Sequence, residues 1–434
     1  MTAPRVSVII ATYNWSAVLR FSIASVLRQT FRSFELLVIG DACTDDSAGV
    51  VASFADPRVR WHNLPRNAGS QAGPNNAGLE LARGDYVAYL GHDDLWYPTH
   101  LESLVEALDS TGADLAYGVA ILYGPPGSGI RGVTGLWDPP RGEPFRHIPP
   151  SSLMHRRDLV ARIGPWKDHR TIRLPHDYEF LLRAWEHRQA FTRTLQLTAF
   201  KFTAAWRPDA YRVKSTEEQA EWLRRMAAEP DFRERELLDV VAAYAAGKGV
   251  EIGPPPDAPP GELVERSKAF KGVETELPPE ARTDRLRFDF GQVLPGFEWH
   301  GVERDPNHGT FQWSGPGARS SLHLPLANDR DLDVTVKVLH AVTPDVLESL
   351  RLEVNGQPVP LAPRPDESGT LFDGRIPRDA LARSPGPVRL TFLVSRTVEP
   401  RSFDPDNVDP RRLGLAFNWI EVRPASDSDP SAPS

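Results

Sequence analysis

At 434 residues the chain is too long for one ordinary core, and with 40% hydrophobic and 25% charged residues it has the composition of a soluble globular protein of about two or three domains. A formal net charge of −8 argues against a nucleic-acid partner, which needs a dominant basic face, so any anionic ligand has to be held locally. Cys43, the one cysteine, excludes an intramolecular disulfide framework and any multi-cysteine metal site, and fits a reducing compartment, the cytoplasm by default.

The N-terminal MTAPRVSVIIATYNWS turns polar at Thr12, too early for a signal sequence or a membrane span, and no later run approaches the roughly 18 apolar residues a span requires. Asn-Trp-Ser at 14–16 matches a glycosylation sequon, which carries little weight without a secretory signal.

From residue 5 to 120, short β-branched runs alternate with helical patterns: VSVIIA, a helix from Ser16, FELLVI, a helix from Asp45, VRWHNL, a helix near 75–82, YVAYLG, a helix from Pro98, then DLAYGVAIL. Such alternation predicts a mainly parallel sheet covered by helices on both faces, a nucleotide-binding α/β design. The first helix has Ser16 as its expected N-cap and inward positions at Leu19, Ile23, Val26 and Leu27.

Residues 124–150 are rich in Gly and Pro and read as a long surface loop of the kind that often forms a lid. Within it Gly127, Gly129 and Gly132 satisfy G-x-G-x-x-G, the dinucleotide-binding spacing, but that motif needs a helix directly after the glycines, and VTGLWDPPRG does not start one. HDYEFLLRAWEH predicts a helix with apolar Tyr178, Leu181, Leu182 and Trp185.

A polar helical stretch at about 216–247 ends in the proline-rich GKGVEIGPPPDAPPG, which reads as an interdomain linker. Short alternating runs follow over 284–425, including VNGQPV with the Asn-Gly of a type I′ hairpin, and predict an antiparallel β-sandwich. The expected domains are therefore 1–215, a helical and linker segment 216–283, the sandwich 284–425 and a disordered tail 426–434.

The stretch YLGHDDLWYP places His92, Asp93 and Asp94 just beyond an apolar run. Open α/β sheets bind ligands at the C-terminal ends of their strands, and a hard divalent cation needs only one or two carboxylates there when substrate phosphates complete its shell. Pairs of acids in turns are also common, so the turn alone leaves a metal site and a solvated turn both open.

Several ordered motifs over residues 5 to about 215 resemble the family 2 glycosyltransferases of the GT-A fold. VSVIIATYNW is similar to the family's opening strand and Thr-Tyr-Asn turn, SVLRQTFRSFELLVIGDACTDDS to its second strand, RNAGSQAGPNNAGLELARGDYVAYLGHDD to the approach to its metal motif, and PSSLMHRRDLVARIGPWKDHRTIRLPHDYEFLLR to its acceptor-side segment. The resemblance implies nucleotide contacts from Thr12, Tyr13, Asn14, Asp41, Asn67, Gly69 and Asn76, a metal on Asp93 with Asp94 in support, and Asp177 as catalytic base. It also implies an α/β, Rossmann-like mixed sheet followed here by the all-β domain.

Two departures stand out. Where the family writes Asp-x-Asp, Gly91 replaces the first acid and His92 lies between, and GPNNAG lacks the Arg that often precedes the family's Asn. His92 either contacts the donor in the place Gly91 vacates or faces solvent.

Each residue also has a plainer reading. Asp177 suits a helix N-cap, and Asp41 a turn cap, as well as they suit chemistry; Asp45 and Asp46 fit the start of the next helix. In WRPDAYRVKS, Arg212 or Lys214 either closes over a diphosphate or forms an ordinary solvated pair. Trp137 and Trp206 suit core or loop anchors better than sugar platforms; Trp299, Trp313 and Trp419 suit sandwich packing better than carbohydrate stacking. His176 receives no chemical role.

Together these features predict a Mn2+- or Mg2+-dependent, inverting glycosyltransferase that moves a sugar from a nucleoside diphosphate donor, UDP first, to a hydroxyl of a glycan, lipid-linked or small-molecule acceptor. The alternative is a non-catalytic sugar- or partner-binding protein on a degenerate transferase domain.

Overall fold

The computed structural model describes residues 3–138, 145–253, 255, 258–273, 279–291, 294, 298–404 and 406–425. The expected disordered tail at 426–434 lies outside them, as does part of the proline-rich linker. No helix among the described residues is long and apolar enough to cross a membrane. The chain forms two compact units, Met1–Ala204 with Ala210–Val264, and Ala205–Asp209 with Glu265–Ser434.

The first unit runs β1 (Val6–Thr12), α1 (Ser16–Leu27), β2 (Phe34–Gly40), α2 (Ser47–Ala52), β3 (Val59–Asn63), α3 (Ala72–Leu81), β4 (Tyr86–Tyr89), β5 (Leu95–Trp96), α4 (His100–Thr111), β6 (Leu115–Tyr123), β7 (Arg131–Thr134), β8 (Leu153–Arg156), α5 (Leu159–Ile163), α6 (His176–Glu186), β9 (Phe191–Lys201), α7 (Ala210–Val213), α8 (Glu217–Ala228), α9 (Phe232–Ala245) and β10 (Gly249–Val250). The strand order is β10-β7-β6-β8-β4-β1-β2-β3, with β9 beside β6 and β5.

Strands β4, β1, β2 and β3 are parallel, and β8 runs antiparallel between β4 and β6. The sheet is thus the mixed one that the resemblance implies. All seven residues of β2 and all nine of β6 are buried, as runs without alternation require in a covered sheet. The chain leaves β1 toward β2 and β3 and returns through α3 to β4 on the other side of β1. That reversal opens a crevice at the C-terminal ends of β1 and β4, the place where such sheets bind ligands.

Helix α1 lies where expected, but its first N–H is held from outside. Ser16 N donates to Asp45 Oδ2 at 2.8 Å, and Asp45 Oδ1 also accepts from Ser47 Oγ at 2.6 Å. Asp45 therefore serves two helix starts at once, and Ser16 is not the cap.

The loop expected over 124–150 is only partly a loop. Arg131–Thr134 pairs with β6, so the third glycine, Gly132, lies within a strand rather than before a helix, and Trp137 is buried against Phe145, Trp185 and Phe191; residues 139–144 lie outside the described set. Trp137 is an anchor, as its residue type suggested. Helices α8 and α9 and strand β10, drawn from the stretch read as a separate segment and linker, cluster with the first unit, and β10 pairs with β7.

Glu35, on the fully buried β2, fastens three segments. Its carboxylate accepts from Ser7 Oγ at 2.8 Å, from Arg83 N at 2.8 Å and from Arg83 Nη2 at 2.7 Å, with Arg60 at 3.3 Å. Burial alone would raise this carboxyl, but the Arg83 bonds outweigh it and hold it below the usual carboxylate range.

The second unit holds β11 (Leu286–Asp289), β12 (Trp299–Asp305), β13 (Gly309–Ser314), β14 (Arg319–Leu324), β15 (Leu332–Ala341), β16 (Arg351–Val354), β17 (Gln357–Val359), β18 (Leu361–Asp366), β19 (Gly369–Ile376), β20 (Val388–Leu393) and β21 (Leu415–Pro424). One sheet has the order β12-β13-β21-β15-β19-β18 with β11 on β21, the other β14-β20-β16-β17, and every pairing is antiparallel.

Residues of both sheets, among them Phe290, Trp299, Val336, Leu352, Phe392 and Phe417, share one core, so the domain is a β-sandwich. Asn355 (φ 48°) and Gly356 (φ 79°) make the hairpin turn with the two positive φ values that type I′ requires.

Because Glu35 is ionised in the fold at pH values where an unfolded chain protonates it, its contribution is full above the unfolded carboxyl range and is lost as pH falls through its lowered folded value. Glu35→Gln should cost the first unit about 2 kcal/mol at pH 7 and less in acid, measured by denaturant unfolding at both pH values.

Candidate active site

Three turns meet the crevice: Thr12–Asn14 after β1, Asp41 onward after β2, and Gly91–Asp94 after β4. Asn14 takes a positive φ of 43°, and its Oδ1 accepts from Thr44 N at 2.8 Å, tying the first turn to the second. Asp41, buried, accepts from Ala68 N at 2.7 Å, while its backbone carbonyl accepts from Asn67 Nδ2 at 3.0 Å. Asp41 thus fastens the 67–69 segment, where Gly69 has φ 80°, beside the β2 turn. Tyr13 is half-buried between these turns in sequence.

Asn76 is not part of this frame. Its Nδ2 donates to Trp166 O at 2.8 Å and its Oδ1 accepts from Trp166 N at 3.0 Å, so both ends of the amide are engaged by a backbone clip on α3.

The two acids of the β4 turn have separate environments. Asp94 is fully buried: Oδ2 accepts from Ser151 Oγ at 2.5 Å and Lys201 Nζ at 2.9 Å, and Oδ1 from Phe202 N at 3.1 Å. Both Asp94 oxygens are thus engaged by the protein, and Asp94 serves as the counter-ion of Lys201. The Asp93 carboxylate has no hydrogen-bond or ion-pair partner among the described residues, and its backbone carbonyl is held by Gln219 Nε2 of α8 at 3.0 Å.

Burial would lower the Lys201 ammonium, but the charges of Asp94, then Asp93, and also Asp177 raise it, which places all three carboxylates in electrostatic reach of one lysine. Lys201 ends β9 after an apolar run, and nothing in its neighbours announces the contact. Gly91 has a steric reason: a Cβ there would stand 2.7 Å from Asp94 Oδ2 and 3.2 Å from Asp93 Oδ1. A side chain at 91 would therefore require the inward-turned Asp94 carboxylate to shift.

His92 does not face solvent. Its Nδ1 lies 2.9 Å from Thr12 Oγ1 and its Nε2 3.1 Å from Tyr211 OH, with Trp15 and Tyr211 packed around the ring. Tyr211 belongs to α7, so this histidine ties α7 to the turns after β1 and β4. Arg212 is exposed on the same helix, and Lys214 is exposed just beyond it with φ 51°.

Asp177 stands in the first turn of α6, but Pro175 holds the N-cap position and no side chain caps the helix. The cap reading of Asp177 therefore falls. Its Oδ1 accepts from Tyr178 N at 2.9 Å and its Oδ2 lies 3.2 Å from His147 Nε2. Burial would raise this carboxyl; His147 above all, and His176 after it, reverse the effect and hold it well below the usual carboxylate range.

Of the other aromatics, Trp206 is half-buried, Trp299 is core with Nε1 donating to Ser321 O at 2.8 Å, Trp313 is partly buried beside Phe311, and Trp419 carries the Arg287 guanidinium 4.3 Å from its ring centre.

Residues 7–205 match the family model described as Glycosyl transferase family 2. Residues 7–205, nearly all of β1 through β9, are thus similar to the family 2 glycosyl transferases. The chain is 37% identical over 113 residues to the succinoglycan biosynthesis protein ExoO of Rhizobium meliloti, covering 26% of this chain and 32% of that protein. It is 34% identical over 113 residues to the UDP-Glc:alpha-D-GlcNAc-diphosphoundecaprenol beta-1,3-glucosyltransferase WfgD of Escherichia coli, covering 26% and 44%. It thus spans less than half the length of these relatives. Among solved structures, S. aureus TarS 1–349 in complex with UDP-GlcNAc is similar at 19% identity and a TM-score of 0.38, over 46% of this chain and 58% of that one.

The unequal environments of the two acids of the transferase turn predict unequal variants. Asp94→Asn, which leaves Lys201 without its buried partner, should destabilise the domain by about 3 kcal/mol, whereas Asp93→Asn should change stability by less than about 1 kcal/mol, both read by denaturant unfolding.

Proposed function

We propose that the protein is an inverting glycosyltransferase that moves a sugar from a nucleoside diphosphate donor, UDP first, to the hydroxyl of a glycan, lipid-linked or small-molecule acceptor. The observation that carries this reading is the pairing of a partner-free Asp93 carboxylate with an ionised Asp177, both in electrostatic reach of Lys201 at the crevice.

On this reading Thr12, Tyr13, Asn14, Asp41, Asn67 and Gly69 frame the nucleoside, with Asp41 able to accept from a base N–H. Arg212 and Lys214 lie on or just after the helix tied to His92 and supply positive charge for the departing diphosphate. UDP is preferred because WfgD and a second Escherichia coli relative, WfaP, 30% identical over 114 residues, are named for UDP-Glc, and both names also specify a diphosphoundecaprenol acceptor.

Among the described residues no three His, Cys, Asp or Glu side chains gather into a metal cage. A single free carboxylate such as Asp93 nevertheless suits a hard cation whose shell is completed by phosphate oxygens and water. Mn2+ or Mg2+ held there with the nucleotide would neutralise charge developing on the leaving diphosphate.

The protein's own residues do the rest. As the acceptor oxygen bonds to the anomeric carbon, its proton passes to the Asp177 carboxylate, and the bond to the diphosphate oxygen breaks with its electron pair leaving on phosphate. Attack and departure take opposite faces, so the anomeric configuration inverts, and no carboxylate nucleophile is required. An Asp177 carboxyl held low is a weak base in the ground state but is ionised at every working pH, and the hydroxyl becomes acidic as its oxygen bonds to carbon.

The non-catalytic alternative draws on Gly91 and on the engaged amide of Asn76. Incubation with a panel of nucleoside diphosphate sugars and Mn2+ or Mg2+, with release of nucleoside diphosphate as the readout, separates the two. Asp177→Asn should lower turnover by about 100-fold or more while leaving metal-dependent nucleotide affinity within a few-fold of wild type. A folded wild-type protein that turns over no donor supports the binder reading instead.

A further inference from the structure

We propose that His147 is a positioning residue for the base: its imidazole orients the Asp177 carboxylate toward the acceptor hydroxyl, an inference that rests on the role of Asp177 proposed above.

His147 and Asp177 come from distant segments. His147 directly precedes the buried Ile148 and the turn Pro150–Ser152 that carries Ser151, the partner of Asp94; Asp177 opens α6. Their side chains meet at 3.2 Å, each about one-fifth exposed, so the pair is neither a loose surface contact nor sealed in the core.

An ionised carboxylate only accepts, so His147 donates to it from Nε2. Oδ1 of Asp177 is meanwhile fixed by Tyr178 N at 2.9 Å. Two bonds from two directions set the carboxylate plane, and each oxygen keeps a lone pair for a substrate hydroxyl. The helix makes no use of Asp177 as its cap, since Pro175 occupies that position.

Around the pair, His176 and Lys201 both act on the Asp177 carboxylate, the Tyr178 ring packs against His147 at 6.0 Å between centres, and Arg146, exposed, adjoins it in the chain. Asp177 stays ionised well into acid, so its own protonation cannot limit the rate near neutral pH. What His147 supplies is the direction of the carboxylate: without its N–H donor only Oδ1 is held, and Oδ2 is free to turn from the acceptor.

The test compares full-length wild type, His147→Gln, His147→Phe and Asp177→Asn, using whichever nucleoside diphosphate sugar of the panel is turned over, with kcat and donor KM measured from pH 5 to 9. His147→Gln, which keeps an N–H donor, should retain kcat within a few-fold. His147→Phe should lose about tenfold or more in kcat with donor KM unchanged.

Wild-type kcat in His147→Phe, or a His147→Gln variant as impaired in kcat as His147→Phe, overturns the inference. Asp177→Asn turning over at the wild-type rate overturns the base reading and this inference with it. An inactive Asp177→Asn beside unaltered His147 variants overturns this inference alone.

Discussion

The site depends on one buried ion pair, Asp94 with Lys201. It joins the turn after β4, the end of β9 and, through Ser151, the short turn ahead of β8. A carboxylate out of water is costly unless its lone pairs are used, and here an ammonium, a hydroxyl and the Phe202 N–H use them. Its neighbour Asp93 is thereby left at the crevice with its carboxylate uncommitted. Adjacent residues of the same type stand in different environments because one is engaged by the fold and the other is not.

The same pair explains the residue at 91. Where the family's pattern places an acid, a side chain would run into the inward-turned Asp94 carboxylate. Glycine at 91 thus fits the way Asp94 is held. The charge that a carboxylate at 91 would have carried is absent, and the ring of His92 beside it is committed to Thr12 and Tyr211.

Much of the fold was readable from pattern because its signals are local. The continuous apolar runs of β1, β2 and β6 report burial on both faces, the alternation after residue 284 reports a sandwich, and Asn355-Gly356 reports its own turn. The C-terminal ends of β1, β2 and β4 and the motif turns there were readable for the same reason. What escaped was contact between distant side chains. Lys201 meets an acid 107 positions earlier in the chain, Asn76 clips a backbone 90 positions away, and His147 sits in a Gly- and Pro-rich stretch that periodicity reads only as loop. No window along the chain contains both members of any of these pairs. Helix α8 escaped similarly: its polar pattern suggests a spacer, yet Gln219 reaches the Asp93 carbonyl.

His92 shows how these distant contacts act together. A histidine between the expected acid positions suggested a ligand for the donor, but both of its ring nitrogens are spent on Thr12 and Tyr211. Through Tyr211 it couples the turns after β1 and β4 to α7, the helix on which Arg212 sits and after which Lys214 follows. Arg212 on this four-residue helix and Lys214 just after it would by themselves be ordinary surface charge. The backbone that carries them is tethered, through a buried imidazole, to the turn that carries Asp93, by the residue that stands where the family's motif has its variable position.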